Sequence, residues 1–322
     1  MIGVRTPFRV SFAGGSTDLP AFYEKNGGKV ISTSIDKFMY HFIHKFDDSK
    51  IQVKYSKTEL VNSPQEIKHP IVFEASKIFD MKGLDINSIS DVPKGTGLGS
   101  SSAYTVGLIH GLAIHNKKKI SRNKLAALSA DIEINKLKDP IGKQDHYAST
   151  FGGLNVITFY KNGSVKVKKM EIEKEVLRKI NSSMILLKFG NSRSASKILK
   201  DQNKNLKKDK YINLTKEIYN LVEDMEKSFI NNDIKSIGEI LTENWEIKSK
   251  LSDSISSTGL DREMNEIRKI NGVYGGKLLG AGKSGYILIA GKPKVINRLK
   301  QNQHLDFNFD NSGSSVILND TV

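Results

Sequence analysis

The stretch Pro93-Lys94-Gly95-Thr96-Gly97-Leu98-Gly99-Ser100-Ser101-Ser102-Ala103 limits what this chain can fold into more than any other. Glycines at alternate positions let the backbone take positive φ and come close to another group, which a Cβ resists. Three hydroxyl residues follow, the types that open helices. From Ala103 to Ile114 the apolar positions Val106, Ile109, Leu112 and Ala113 then recur three or four apart, the spacing of a helix. A glycine turn running into a helix start gathers free backbone N–H groups and the positive end of the helix dipole at one point, which suits a nucleotide polyphosphate. The plainer reading is a glycine-rich turn with a serine cap, but three glycines and three serines joined to an apolar helix exceed what a cap needs. Pro93, Gly95, Gly97, Leu98, Gly99, Ser100, Ser101 and Ser102 are therefore the candidate nucleotide contacts.

A chain of 322 residues with 38% hydrophobic content has material for more than one core, so two domains are expected. It has no cysteine, which excludes disulfides, thiolate metal sites and cysteine nucleophiles. No apolar run approaches the roughly 20 residues of a membrane helix. The opening MIGVRTPFRV does not read as an export signal, and a cytoplasmic location is expected. A net charge of +15 raises the question of nucleic acid. The lysines fall in short scattered runs (Lys117 to Lys119, Lys166 to Lys169, Lys204 to Lys210) without interleaved aromatics, so solvated faces are the expectation and neither nucleic acid nor membrane is an expected partner.

Phe8, Val10 and Phe12 alternate along an opening strand that ends at Gly14 and Gly15. Strands follow at Lys29 to Ile35, Phe38 to Phe46 and Ile51 to Tyr55, and a helix at Pro70 to Phe79. Ser121 opens a helix through Leu125, Leu128, Ile132 and Leu137 that stops before Pro140. Asn162-Gly163 joins two alternating runs as a hairpin. Beyond it come a strand at Met184 to Phe189, three helical stretches across Tyr211 to Ile270, two short strands around Gly280 to Gly285, a helix from Pro293 and a last strand at Ser315 to Leu318. These make a second α+β unit, and the division expected is residues 1–180 and 181–322, near Asn181.

A second glycine cluster, Gly275 to Gly285, imitates a P-loop at Gly282-Lys283-Ser284. Five residues separate Gly276 from Gly282 where that motif has four, and Tyr286 to Ala290 continues as a strand instead of a helix. It reads as a strand-turn-strand whose glycines allow close approach to the nucleotide loop. The histidines form no metal pattern: His110 and His115 are five apart on a helix, and His41 and His44 face opposite sides of a strand.

Three motifs in order, PFRVSFAGGSTD at Pro7 to Asp18, PKGTGLGSSSA at Pro93 to Ala103 and KLLGAGKSGY at Lys277 to Tyr286, resemble those of the GHMP kinases. The third departs from the family in carrying Lys283 and Ser284 at its centre. The resemblance spans nearly the whole chain. It implies an α+β fold of two domains, the first like ribosomal protein S5 domain 2 and the second ferredoxin-like, with ATP bound between them. RTPFRVSFAGGSTD at Arg5 to Asp18, PIGKQDHYASTFGGLN at Pro140 to Asn155 and NSRSAS at Asn191 to Ser196 are most similar to members that act on D-glycero-D-manno-heptose 7-phosphate. That implies phosphate transfer from ATP, with Mg2+, to the anomeric hydroxyl, toward nucleotide-activated heptose for surface polysaccharide.

The resemblance also implies roles. Asp145, after the Gly142-Lys143-Gln144 turn, stands where the family has its catalytic aspartate, though an aspartate there also suits a helix cap. Arg9 stands where relatives place a cation beside it. Ser101 and Glu133 match the magnesium ligands, with Asp131 a competitor for Glu133 because residues two apart on a helix point different ways. Asp18, with Gly14 and Gly15, resembles the sugar-binding turn, or is an Asx-turn. Arg193 is the candidate clamp for the 7-phosphate, or a surface arginine at a helix cap. Two alternatives stay open: a kinase of an unphosphorylated sugar of the fucose or N-acetylhexosamine type, and a non-catalytic sugar-sensing relative.

Overall fold

In a computed structural model that describes residues 1–47, 49–190 and 196–320, the alternating start of the chain forms β1 (Ile2–Ala13), with Phe8, Val10 and Phe12 buried. After α1 (Pro20–Asn26), β2 (Gly28–Lys45) returns antiparallel to β1. It is one strand of 18 residues, where the sequence suggests two. The polar pair Asp36-Lys37 does not break it, because the ladder steps from Pro7↔Phe38 to Arg9↔Ser34 and takes up the extra residues as a bulge. The Asp36 N–H, left out of the ladder, donates to the Asn308 carbonyl at 2.9 Å.

β3 (Ile51–Lys54), β4 (Thr58–Val61), α2 (Pro70–Ser76) and β5 (Leu84–Ser90) follow, then α3 (Ser100–His115), α4 (Arg122–Asp131) and α5 (Gln144–Phe151). α3 is buried on nearly every side, and it packs on β1 and β2 with α5 beside it. The Ser121 hydroxyl caps α4 by accepting from the Lys124 N–H. α4 does not continue regularly to Leu137: residues Ile132–Lys136 widen into a π turn, closed by the Leu137 N–H on the Ile132 carbonyl at 2.9 Å. The Asn162-Gly163 hairpin is formed by β6 (Leu154–Phe159) and β7 (Val165–Lys169), with β6 paired to the first half of β2.

The second unit contains α6 (Lys174–Ser182), β8 (Met184–Phe189), α7 (Ser196–Asn205), α8 (Asp209–Ile230), α9 (Ile234–Ser249), α10 (Thr258–Lys269), β9 (Val273–Leu278), β10 (Gly285–Gly291), α11 (Pro293–Leu299) and β11 (His304–Leu305). Its antiparallel sheet has the order β11-β8-β10-β9, which is the ferredoxin-like arrangement of a βαββαβ chain with extra helices in its first crossover. The last strand, β12 (Ser315–Asn319), does not belong to this unit as the sequence suggests. It pairs antiparallel with the outer edge of β1, so the larger sheet runs β12-β1-β2-β5-β3-β4. The expected division at 180/181 falls inside α6, between β7 of the larger sheet and β8 of the smaller one.

One apolar core runs through both units, with Phe12 of β1 edge-on to Phe229 of α8 at 4.8 Å between ring centres. Among the described residues no helix is long and apolar enough to cross a membrane.

Candidate active site

Gly95, Gly97 and Gly99 all take positive φ, at 78°, 83° and 77°. Gly99 is the left-handed N-cap of α3, and no side chain caps the helix. The first helical amide bonded to its own helix is Ala103, on the Gly99 carbonyl at 3.0 Å. The N–H groups of Ser100, Ser101 and Ser102 precede that bond and have no intrahelical acceptor, which leaves the donor set and dipole end that an anion requires.

The second glycine cluster supports this loop from behind. β9, a turn and β10 are strand-turn-strand, and a Cβ on Gly280 would stand 2.5 Å from the Gly97 Cα. The Tyr286 N–H donates to the Thr96 carbonyl at 3.2 Å, and the Lys248 ammonium donates to the Gly280 carbonyl. Lys283 takes φ +60° and uses its backbone N–H on the Ile255 carbonyl at 2.6 Å.

Arg9, on β1, is 4% exposed and forks onto Asp145 at the start of α5: Nε donates to Oδ1 at 2.6 Å and Nη2 to Oδ2 at 2.7 Å. Its third nitrogen, Nη1, donates to the Gly97 carbonyl at 2.6 Å, and its N–H to the Leu98 carbonyl at 3.1 Å. One guanidinium therefore fixes both the carboxylate and the glycine loop. Gly99 has no side chain because a Cβ there would press on Asp145 Oδ2 at 3.1 Å. Each Asp145 oxygen accepts one bond from Arg9, and the side chain stays 21% exposed, so lone pairs remain for a further donor.

Of the two acidic candidates after Ser121, the structure brings Glu133 to the loop. Glu133 is fully buried, with Oε1 accepting from the exposed Ser101 hydroxyl and Oε2 2.6 Å from His146 Nε2. Burial acts against its charge, but the bonds from His146 and Ser101 outweigh it and hold the pKa below the ordinary carboxylate value. Asp131 is 40% exposed and accepts from the Asn135 amide instead.

Asp18 is 3% exposed and spends its oxygens on backbone: Oδ1 accepts from the Ser16 N–H at 3.2 Å and Oδ2 from the Gln144 N–H at 3.1 Å. It thereby ties the turn after Gly14 and Gly15 to the turn before Asp145, and Gly142 packs against it with no space for a Cβ. Burial, then the charge of Asp145, raises its pKa to about 6. Arg193 lies outside the described residues.

Two contributors are not among the site residues expected from the sequence. Lys277, in the third motif, is 3% exposed and donates to the Phe12 carbonyl at 3.1 Å and to Asn244 Oδ1 at 2.6 Å, which joins β9 to the end of β1. Burial, then the charges of Lys248 and Arg9, pushes its pKa well down. His146 escapes spacing rules for metal ligands because it touches the candidate ligand and not a metal. Its only sequence signal is that it follows Asp145.

Residues 67–153 match the family model of the GHMP kinases N terminal domain. That stretch therefore carries a GHMP kinase N-terminal domain, and the fold and the kinases similar to this chain along its length support an ATP-dependent phosphotransferase with an alcohol group as acceptor. Over its length it is similar to the D-glycero-alpha-D-manno-heptose 7-phosphate kinase of Campylobacter jejuni, 28% identical with 97% of each chain covered. It is 24% identical to the galactokinase of Thermosipho africanus, with 94% of this chain and 93% of that one covered. The crystal structure of a D-glycero-D-manno-heptose 1-phosphate kinase from Bacteriodes thetaiotaomicron superposes with a TM-score of 0.79 at 20% identity, covering 99% of each chain.

Proposed function

We propose that this sugar kinase transfers the γ-phosphoryl group of ATP to the anomeric hydroxyl of D-glycero-D-manno-heptose 7-phosphate, giving the 1,7-bisphosphate and ADP. The observation that carries the chemistry is the Arg9–Asp145 pair, bonded through Arg9 to the glycine loop at the start of α3. Phosphoryl transfer needs little covalent help from protein, so positioning and charge do most of the work. The free N–H groups of Ser100 to Ser102 bind the nucleotide phosphates. Asp145 accepts the hydrogen bond of the sugar hydroxyl and points an oxygen lone pair at the γ-phosphorus. Arg9 holds that carboxylate in register. Asp18 with Gly14 and Gly15 shapes the sugar side, and Arg193 is assigned to the 7-phosphate.

Ser101 and Glu133 fit the magnesium ion that accompanies ATP. They offer a hydroxyl and a carboxylate oxygen one hydrogen bond apart beside the phosphate loop. Among the described residues no group of three or more metal-binding side chains forms a protein cage, and magnesium commonly takes few protein ligands with substrate phosphates supplying others. Bound there, the ion would draw charge from the β- and γ-phosphates. The heptose 7-phosphate acceptor is supported by the similarity to the Campylobacter jejuni kinase along nearly the whole chain, and the cytoplasm, where ATP is supplied, is the proposed compartment.

The test is ADP release with ATP and magnesium against heptose 7-phosphate, free heptose, fucose, galactose and mannose, with Asp145→Ala as control. Release with the 7-phosphate alone, lost in Asp145→Ala, is the expected result. Turnover confined to a neutral sugar would retain the kinase and discard this acceptor, the outcome the galactokinase similarity would favour.

A further inference from the structure

We propose that His146 is a positioning residue for the magnesium site: its Nε2 holds the Glu133 carboxylate in the orientation that meets Ser101 and the metal. The inference rests on the reading of Ser101 and Glu133 as metal ligands. Glu133 and His146 are both fully buried, and 2.6 Å separates Oε2 from Nε2. A carboxylate at that depth needs compensation for lost water. Among the described residues no lysine or arginine bonds to it: its contacts there are the hydroxyls of Ser101 and Thr105 and the His146 ring. The ring has no second polar partner among the described residues, since Nδ1 is buried without one. A histidine kept only for packing would be replaceable by an apolar side chain, whereas this one directs its single polar contact at Glu133. Partners of this kind orient metal ligands and are worth about 10- to 100-fold in metal affinity.

The surrounding backbone agrees. Glu133 lies in the π turn, a form of winding that often marks functional sites. Just beyond that turn the Asp139 N–H donates to the Glu133 carbonyl at 2.9 Å. His146 follows Asp145 in α5, and successive helix residues face different directions, Asp145 toward Arg9 and His146 inward. A ring of contacts therefore runs from Ser101 through Glu133, His146, the 145–146 peptide, Asp145 and Arg9 back to Gly97 in the same loop. Both the metal ligand and the hydroxyl-orienting carboxylate are fixed by one turn of α5.

The experiment measures ATP affinity by titration calorimetry, with magnesium and with EDTA, for the parent, His146→Gln, His146→Asn and Glu133→Gln. The Gln amide nitrogen stands as many bonds from Cα as His Nε2, and the Asn nitrogen one fewer. His146→Asn should lose about tenfold or more of the magnesium-dependent gain in ATP affinity, while His146→Gln stays within about threefold of the parent. Affinity in EDTA should be unchanged in both, which a general disturbance of the fold would not allow. Equal gains in His146→Asn and parent, or equal losses in the Asn and Gln variants, overturn the proposal. If Glu133→Gln keeps the full gain, the metal-site reading itself fails, a result separate from the other two.

Discussion

Asp18 and Asp145 are two carboxylates of one site in opposite surroundings, and the difference is measurable. Asp145 is gripped by a guanidinium, whereas Asp18 is buried with only backbone N–H donors, and its pKa rises from 3.8 to about 6. Between those values the folded chain keeps a proton that the unfolded chain has released, so stability falls as pH climbs from about 4 to about 6. Above that window the full penalty is present, about 3 kcal/mol for two pKa units. Asp18→Asn should flatten this part of the profile, read from urea midpoints at pH 4, 5, 6 and 7. A variant whose midpoint declines over that range as steeply as the parent's would show that Asp18 is not the group responsible.

At the scale of elements, the loop before α3 depends on the turn between β9 and β10. Gly280 takes φ +74°, and a Cβ on it would meet the Gly97 Cα at 2.5 Å, so the nucleotide loop itself would have to move. Gly280→Ala should weaken ATP binding about tenfold, equivalent to ~1.4 kcal/mol. Gly27→Ala is the control: φ is +73°, but the new Cβ would lie 3.7 Å from its nearest neighbour, so it suffers the backbone strain without touching the loop. ATP titration of both variants checks the claim, and equal weakening would refute it. These two glycine turns were legible in the sequence, as were the Asn162-Gly163 hairpin and the Ser121 helix start, because each is written in residues close along the chain. The continuity of β2 across Asp36-Lys37 was not legible, since the Asn308 carbonyl that satisfies the bulge lies 272 residues away. The π turn that carries Glu133 and the inward face of α5 that carries His146 were hidden for the same reason: local patterns do not reveal a distant partner. Arg9 and Asp145 were legible only through their motifs, because composition alone gives an arginine in a strand and an aspartate at a helix start.

At the scale of the whole molecule, the second unit is enclosed by the first at both ends of its own sequence. After β11 the chain returns across the larger sheet: the Asn308 N–H donates to Asp36 at 2.7 Å, and the Gly153 N–H donates to the Asp310 carbonyl at 2.7 Å. The Ser314 hydroxyl then lies 2.9 Å from both Thr6 Oγ1 and His110 Nδ1, and β12 covers the edge of β1. Lys277 adds a buried link in the middle, from β9 to the Phe12 carbonyl. With a shared core and a returning strand, the two units should unfold as one. The single tryptophan, Trp245, is buried in α9 and reports on the second unit, while far-ultraviolet circular dichroism reports on the whole. Both probes should give one midpoint in the parent chain. Deleting residues 312–322 removes the β12 ladder and uncovers Thr6 and His110, with a loss of about 3 to 5 kcal/mol, a large share of the 5–15 that domains possess. Although the deletion touches only the first sheet, the Trp245 transition should fall with the dichroism transition. A tryptophan midpoint that stays in place while dichroism falls would mean that the units fold independently and that β12 stabilises only the sheet it joins.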